Sequence, residues 1–330
     1  MVVVAAAFVP LCCYEEDEGH KCTEPAGSSG LCYWHDPTQC KTAEDCCALE
    51  AYARNGGQMR GISLRRADMP GLNLAAGPSE SGFDLTHADL YRANLRGAHL
   101  YKVKLHQANL MKTDLRDANA HWVELQQANL LGVKWTGARI EHIQLGDQLR
   151  QEIIARQAVK IQDWAMAQDY FEQSEEIYRD LRKAAEHEGL FSRAGFYIQQ
   201  ELRMRRFQYP VWSHKRLFSK LIDVFCGYGE DPVRVVLFSL LLIFICSFFY
   251  LFLGVSYQGE VLMYSSEQSW QQNLNLLFNC MYYSVVTFTT LGYGDITPVG
   301  GSRLVAAIEA FTGSFTIALF VVVFVKKMTR

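Results

Sequence analysis

Leu85-Thr86-His87-Ala88-Asp89-Leu90-Tyr91-Arg92-Ala93-Asn94-Leu95 opens a run in which one five-residue unit keeps returning, as Ala108-Asn109-Leu110, Ala118-Asn119-Ala120 and Ala128-Asn129-Leu130. Central positions advance in fives from 85 to 145 without slippage and are mostly Leu, with Trp135 and Ile140 late in the series. Positions 64, 69 and 74 form an earlier set, separated by the out-of-register stretch Gly77-Pro78-Ser79-Glu80-Ser81-Gly82. A period of five fits neither the 3.6 of a helix nor the 2.0 of a strand. Each repeat must therefore turn a corner, with the central residue and the small residue two before it facing inward and the rest facing water.

Repeats Ala-Asp/Asn-Leu in this register resemble the pentapeptide-repeat family. The resemblance implies a right-handed quadrilateral β-helix over residues 58–145, four repeats to a coil. About four coils stacked at roughly 4.8 Å give a rod about 20 Å long. Residues 58–145 hold 11 Lys and Arg against 8 Asp and Glu, which argues against the acidic DNA-mimicking role of some members of that family. No nucleic-acid partner is expected, and the rod's own partner cannot be read from the sequence.

Downstream, residues 146–230 change to helical periodicity. One apolar face runs through Phe171, Ile177, Tyr178, Leu181 and Ala185, Gly189 is placed as a helix stop, and a second run carries Ala194, Tyr197, Ile198 and Leu202. The pair reads as a helical hairpin linker and resembles one tetratricopeptide-like unit. A lone unit of this kind rarely stands by itself, so it is expected to pack on the end of the β-helix or on a neighbouring subunit. Lys215 to Phe225 is amphipathic, with Leu217, Leu221, Val224 and Phe225 opposite Lys215, Arg216 and Lys220. It suits a helix lying at a membrane interface, or an ordinary surface helix packed on its own domain.

Residues 231–330 contain two stretches long enough to cross a bilayer. Val235 to Val255 holds no charge, and Leu304 to Val325 is interrupted only by Glu309. Basic residues precede the first span and follow the second, while no Lys or Arg lies between Val255 and Ser302. The positive-inside rule then places both termini in the cytoplasm and the connection outside. That connection is too apolar for an external loop, since Leu276 to Thr290 carries no charge; it reads as a re-entrant helix with an extended return, over 273–295.

Thr290-Leu291-Gly292-Tyr293-Gly294-Asp295, between two spans and after a re-entrant helix, resembles the selectivity filter of two-transmembrane potassium channels, with Leu291 where Val is usual. The resemblance implies carbonyls of Thr290, Leu291, Gly292 and Tyr293, and the Thr290 hydroxyl, around dehydrated K⁺. Gly292 and Gly294 would permit the backbone turn, and Tyr293 would brace the strand. One chain supplies one wall, so the resemblance implies a homotetramer in the cell membrane. Asp295 is assigned to the outer mouth, or to a structural acceptor behind the filter. Gly313, in mid-span, is assigned to a gating hinge, with close helix packing as the other role. Glu309 is a functional candidate because charges inside spans are rare; it is expected to hydrogen-bond in the filter's supporting shell rather than to touch the ion.

Seven of the ten cysteines lie within the first 47 residues. The apolar start, Met1 to Pro10, lacks a basic flank, so the N-terminus reads as intracellular and the cysteines as metal ligands or free thiols rather than disulfides. Cys13, Cys22, Cys32 and His35 offer three sulfurs and a nitrogen for tetrahedral Zn²⁺, with Cys12, Cys40, Cys46 and Cys47 as rival ligands. Residues 1–57 are taken as this Cys-rich segment.

A net charge of -3 and a mean hydropathy of -0.04 look like a soluble protein only because a polar middle averages against an apolar end. The expected architecture is multidomain, ending in an all-α pore domain whose spans are 235–255 and 304–325. The expected function is passive K⁺ transport with an N-terminal regulatory or assembly module. A non-selective cation channel and a membrane-tethered scaffold are the other readings. No spacing suggests a catalytic dyad or triad, so no enzyme is expected.

Overall fold

The computed structural model describes residues 10–15, 19, 21–75, 77 and 81–329, in two units divided between Arg216 and Leu217. The apolar start at 1–9, the acidic residues 16–18, Pro78 to Glu80 of the insertion and Arg330 lie outside the described residues.

In the first unit, parallel bridges join residues twenty apart: Asp84 to Lys104, Asp89 to Asn109, Asn94 to Asp114, His99 to Asn119, and so on to Gln144. Four repeats of five therefore complete one coil. Bridges from the earlier set span twenty-six instead, Ser63 to Asp89, Asp68 to Asn94 and Asn73 to His99. The six extra residues equal the six of Gly77 to Gly82, so the insertion lengthens one coil without shifting its register. The central Leu residues and the Ala or Val two before them are buried, as in Leu90, Leu95, Ala88 and Ala93. Each corner turns through a left-handed residue two after the centre; His87, Arg92, Gln107 and Lys112 have φ of 55 to 61°, and Gly97, Gly132 and Gly137 take the same place elsewhere. Side chains add a polar ladder, Asn109 donating to Asp89 at 3.0 Å and Gln151 to Asn129 at 2.7 Å.

A coil at the end of such a stack leaves backbone donors without a neighbour. At the N-terminal end the Cys-rich segment supplies acceptors: Ser63 N–H donates to the Trp34 carbonyl at 2.8 Å, Asp68 to Lys41 at 3.0 Å, and Asn73 to the Glu50 carboxylate at 2.8 Å. Glu50 lies on helix α1 (Cys46–Arg54). At the other end stand α2 (Arg150–Lys160), α3 (Trp164–His187) and α4 (Phe191–Phe207). Glu188 accepts the Ile140 N–H at 2.7 Å, so the helices close the β-helix as the sequence leads one to expect. Gly189, at φ 74°, separates α3 from α4. Buried Glu175 and Glu201 pin that pair through Arg205 and Arg182, each at 2.9 Å.

The second unit contains most of α5 (His214–Cys226), then α6 (Pro232–Leu253), α7 (Trp270–Phe288) and α8 (Ser302–Met328). At 1.5 Å per residue, α6 and α8 are about 33 and 40 Å long, enough to cross a membrane. Asp231 caps α6 through Val233 N–H at 3.1 Å, with Pro232 in its first turn. Leu217, Phe218, Leu221 and Val224 of α5 are exposed, so this apolar face is not packed into a core.

Three short strands, β1 (Val255–Tyr257), β2 (Glu260–Leu262) and β3 (Ile296–Pro298), form an antiparallel sheet in the order β2-β1-β3. The β1–β2 turn is Gln258-Gly259 with both φ positive, 52 and 89°. This is the two-residue hairpin geometry in which Gly is favoured. The sequence reading of an all-α pore domain omitted this sheet.

Candidate functional site

Helix α7 is capped by the Ser269 hydroxyl, which accepts from Gln271 N–H at 3.3 Å, and runs to Phe288. The chain then leaves helical geometry at Thr290, whose φ is 56°, and Gly292 and Gly294 follow at 56 and 79°. A left-handed Thr is an outlier for a β-branched residue, and such strain is held where the surroundings over-determine the backbone. Gly292 and Gly294 take their angles without a Cβ penalty. Leu291 and Tyr293 are 58 and 67% exposed in the single chain, so this segment forms an open wall rather than a buried loop. Tyr282 of α7 and Asp295, at the end of the segment, are electrostatic neighbours.

Glu309 of α8 is 1% exposed. The Tyr250 hydroxyl of α6 donates to its Oε2 at 2.5 Å, and the Ser284 hydroxyl of α7 contacts its Oε1. Ser284 also lies 2.9 Å from the Ile243 carbonyl. One carboxyl group thus joins all three long helices of the unit. Gly313 is buried one turn further on, and a Cβ there would run into the Phe288 carbonyl at the end of α7. The Ser302 hydroxyl at the start of α8 bonds the Gly254 carbonyl at the end of α6.

In the first unit the Cys/His cluster that could hold a metal ion differs from the sequence expectation in one member. Cys12, Cys22, Cys32 and His35 are buried and bring their donor atoms within 4.8 Å of one another, whereas Cys13 is exposed. The correction follows from strand alternation. Residues 11–15 pair antiparallel with 21–25 through Leu11–Pro25 and Glu15–Lys21. Cys12, Tyr14 and Cys22 therefore share one face and Cys13 takes the other.

The Cys22 and Cys32 sulfurs are 3.8 Å apart, Cys12 Sγ is 3.8 Å from His35 Nδ1, and Cys32 Sγ is 3.1 Å from it. Tetrahedral zinc with bonds of about 2.3 Å to sulfur and about 2.0–2.1 Å to nitrogen sets such edges at roughly 3.5–3.8 Å, which the two 3.8 Å separations match while the 3.1 Å one is shorter. His35 Nε2 lies 2.9 Å from the Arg60 carbonyl, which fixes the tautomer that leaves Nδ1 free to ligate. Tyr14 stacks on the imidazole at 4.2 Å. Burial pushes the Cys22 thiol up to about 12 and raises Cys32, and burial lowers His35. Thiolates here need a cation to offset desolvation, and the imidazole is already held neutral.

Residues 237–330 match the family model for ion channels, and residues 81–117 match that for pentapeptide repeats in eight copies. The stretch that matches the ion-channel model thus follows the stretch that matches pentapeptide repeats. Over 78 residues the chain is 35% identical to potassium voltage-gated channel subfamily A member 5 of Mustela putorius furo, covering 23% of this chain and 13% of that protein. Protein LctB of Bacillus caldotenax is 39% identical over 51 residues, 16% of this chain and 38% of that one. The chain therefore spans only a minor part of the curated relatives it matches. A solved pentapeptide repeat protein from Nostoc is 28% identical, over 34% of this chain and 99% of that one, at a TM-score of 0.23.

The sequence reading found Thr290 to Asp295, Glu309 and Gly313 but not the partners Tyr250 and Ser284. Hydroxyls inside apolar helices were the available signal, since each needs an acceptor when buried. Cys12 could have been separated from Cys13 only once the pairing of the two extended segments was known.

Proposed function

We propose that the chain is one subunit of a homotetrameric, K⁺-selective channel, and that Thr290 to Gly294 form one wall of its filter. One observation carries the reading: between two spanning helices, α7 delivers its C-terminus to Thr-Leu-Gly-Tyr-Gly-Asp with left-handed backbone at Thr290, Gly292 and Gly294. Backbone turned in this way directs successive carbonyls to one side, where they can replace the ion's hydration shell. The exposure of Leu291 and Tyr293 in the single chain leaves surface for neighbouring subunits.

In this reading Asp295, beside Tyr282, stands at the outer mouth of the filter. Glu309 holds the pore helix against both spans. Ser284 has a single proton to share between the Ile243 carbonyl and Glu309, so the neutral acid completes this network by donating the second. Gly313 lets α8 approach the filter's base and is the place where α8 bends on opening. Both termini are cytoplasmic, and the right-handed quadrilateral β-helix is a regulatory or assembly module. Zn²⁺ is its cofactor, held by Cys12, Cys22, Cys32 and His35; it would supply structural cross-linking and no chemistry of transport.

A non-selective cation pore is the second reading, favoured by Leu291 where Val is usual. Reversal potential decides between them. Purified protein in planar bilayers, with a K⁺ gradient opposed by Na⁺, is expected to reverse near the K⁺ equilibrium potential and to be blocked by Ba²⁺. Reversal near zero with sustained current would replace selectivity by the second reading.

A further inference from the structure

A cleft of about 810 Å³ opens in the first unit between α2, the start of α3 and the turn that joins α4 to α5. Its size suits a small-molecule headgroup. Arg156, Lys160 and Arg216 line it, and no carboxylate does. The charges converge rather than disperse: the guanidinium carbons of Arg156, Arg206 and Arg216 lie 5.5, 5.5 and 5.6 Å from the centroid of one ring, Phe207. Glu152 lies 3.7 Å from Arg156 and already accepts the Tyr178 hydroxyl at 2.5 Å. Arg216 donates to the Tyr209 carbonyl at 3.0 Å, which satisfies one of its five N–H groups. Burial and the charge of Arg206 both work against the Arg216 cation. Like charges gathered on one aromatic face, with no acid lining the space before them, are arranged for an anion to enter.

We propose that this cleft binds the phosphate of an acidic phospholipid headgroup. Phosphate suits guanidinium forks because they can bond its oxygens in pairs. The rim selects a lipid over a soluble phosphate. Trp212 is 97% exposed, and Val211 and Trp164 are also exposed, so an apolar edge borders a cationic floor. Arg216 lies in the first turn of α5, the helix whose face of Leu217, Phe218, Leu221 and Val224 is exposed, and α6 begins at Pro232. An amphipathic helix directly upstream of a span lies at the bilayer surface, where anionic headgroups are concentrated. The proposal rests on the membrane orientation given above, which puts this segment on the cytoplasmic side; it does not depend on which ion the pore selects.

The test uses native mass spectrometry of the full chain, released from detergent with phosphatidylglycerol or phosphatidylcholine. Wild type is expected to retain phosphatidylglycerol and not phosphatidylcholine. The double variant Arg156→Gln, Arg216→Gln is expected to bind phosphatidylglycerol about thirty-fold more weakly, from about 1 kcal/mol per basic residue at the surface. Lys160→Gln removes one exposed charge, keeps the fold, and is expected to cost about five-fold on the same basis. Lys134→Gln with Arg139→Gln, which removes two charges from the β-helix, is the control and should change nothing. Equal retention of both lipids, or undiminished phosphatidylglycerol binding in the Lys160 and double variants, overturns the proposal. So does displacement of the lipid by millimolar inorganic phosphate, because the site would then be one for a soluble anion. Reversal potential measured on the same samples separates failure of this site from failure of the pore reading.

Discussion

Replacing Glu309 tests the internal bracing of the second unit most directly. Glu309→Ala removes the acceptor of Tyr250, which is fully buried and has no other hydrogen bond through its hydroxyl among those described. An unsatisfied buried hydroxyl costs about 1–3 kcal/mol. Ser284 loses one partner but keeps the Ile243 carbonyl at 2.9 Å, so its share is small. The missing methylene adds about 0.8 kcal/mol. The sum is a destabilisation of about 2–4 kcal/mol per chain. Glu309→Gln preserves both shape and a donor–acceptor pair, and is expected to cost less than about 1 kcal/mol, the worth of one neutral hydrogen bond made less well. Fluorescence-detected size-exclusion chromatography after heating in detergent reads the difference: the Ala variant should lose its folded peak well below the Gln variant. If Ala and Gln melt together, the carboxyl is not bracing the helices and the argument from Tyr250 and Ser284 is wrong.

Exchanging cysteines separates the two zinc ligand sets: Cys12→Ser should abolish stoichiometric zinc in freshly purified protein by metal analysis, while Cys13→Ser should leave it intact, and the reverse pattern would restore the exposed cysteine as ligand. Gly313→Ala is expected to reduce single-channel open probability, because its Cβ meets the Phe288 carbonyl; unaltered gating in bilayer recordings would mean that α8 has room to spare there. Acidification should weaken the helical part of the first unit. Burial disfavours the Glu175 carboxylate, but hydrogen bonds from Arg205 and Gln208 and the charges of Arg205 and Arg179 outweigh it and hold its pKa below the usual carboxylate value. A depressed folded pKa contributes stability above the unfolded value of about 4.3, and that contribution is lost as pH falls through the folded value. Melting curves by circular dichroism between pH 5 and pH 3 should therefore fall less steeply for Glu175→Gln, and an unchanged slope would show that this carboxylate carries no acid sensitivity.

The sequence by itself determined a great deal where the signal is periodic or local. Five-residue spacing decided the coil, because only a corner in each repeat keeps every central Leu inward, and the bridges twenty residues apart follow from it. The six-residue insertion was legible as a loss of register, and it returns as a twenty-six-residue spacing. Length with at most one charge decided the two long apolar helices, and Thr290 to Asp295 was legible through its resemblance to a selectivity filter, with Gly292 and Gly294 standing where the backbone turns left-handed. Tertiary structure alone decided which distant groups meet. Glu309 gains its meaning from Tyr250 and Ser284, 59 and 25 residues away in sequence. The Cys12 assignment depends on how two extended segments pair, since one step along a strand exchanges the inside for the outside. Three arginines come to share Phe207 because α2, α4 and α5 converge there. Patterns with a short period are written in the chain, whereas contacts between remote elements depend on loop paths and packing that no local pattern encodes.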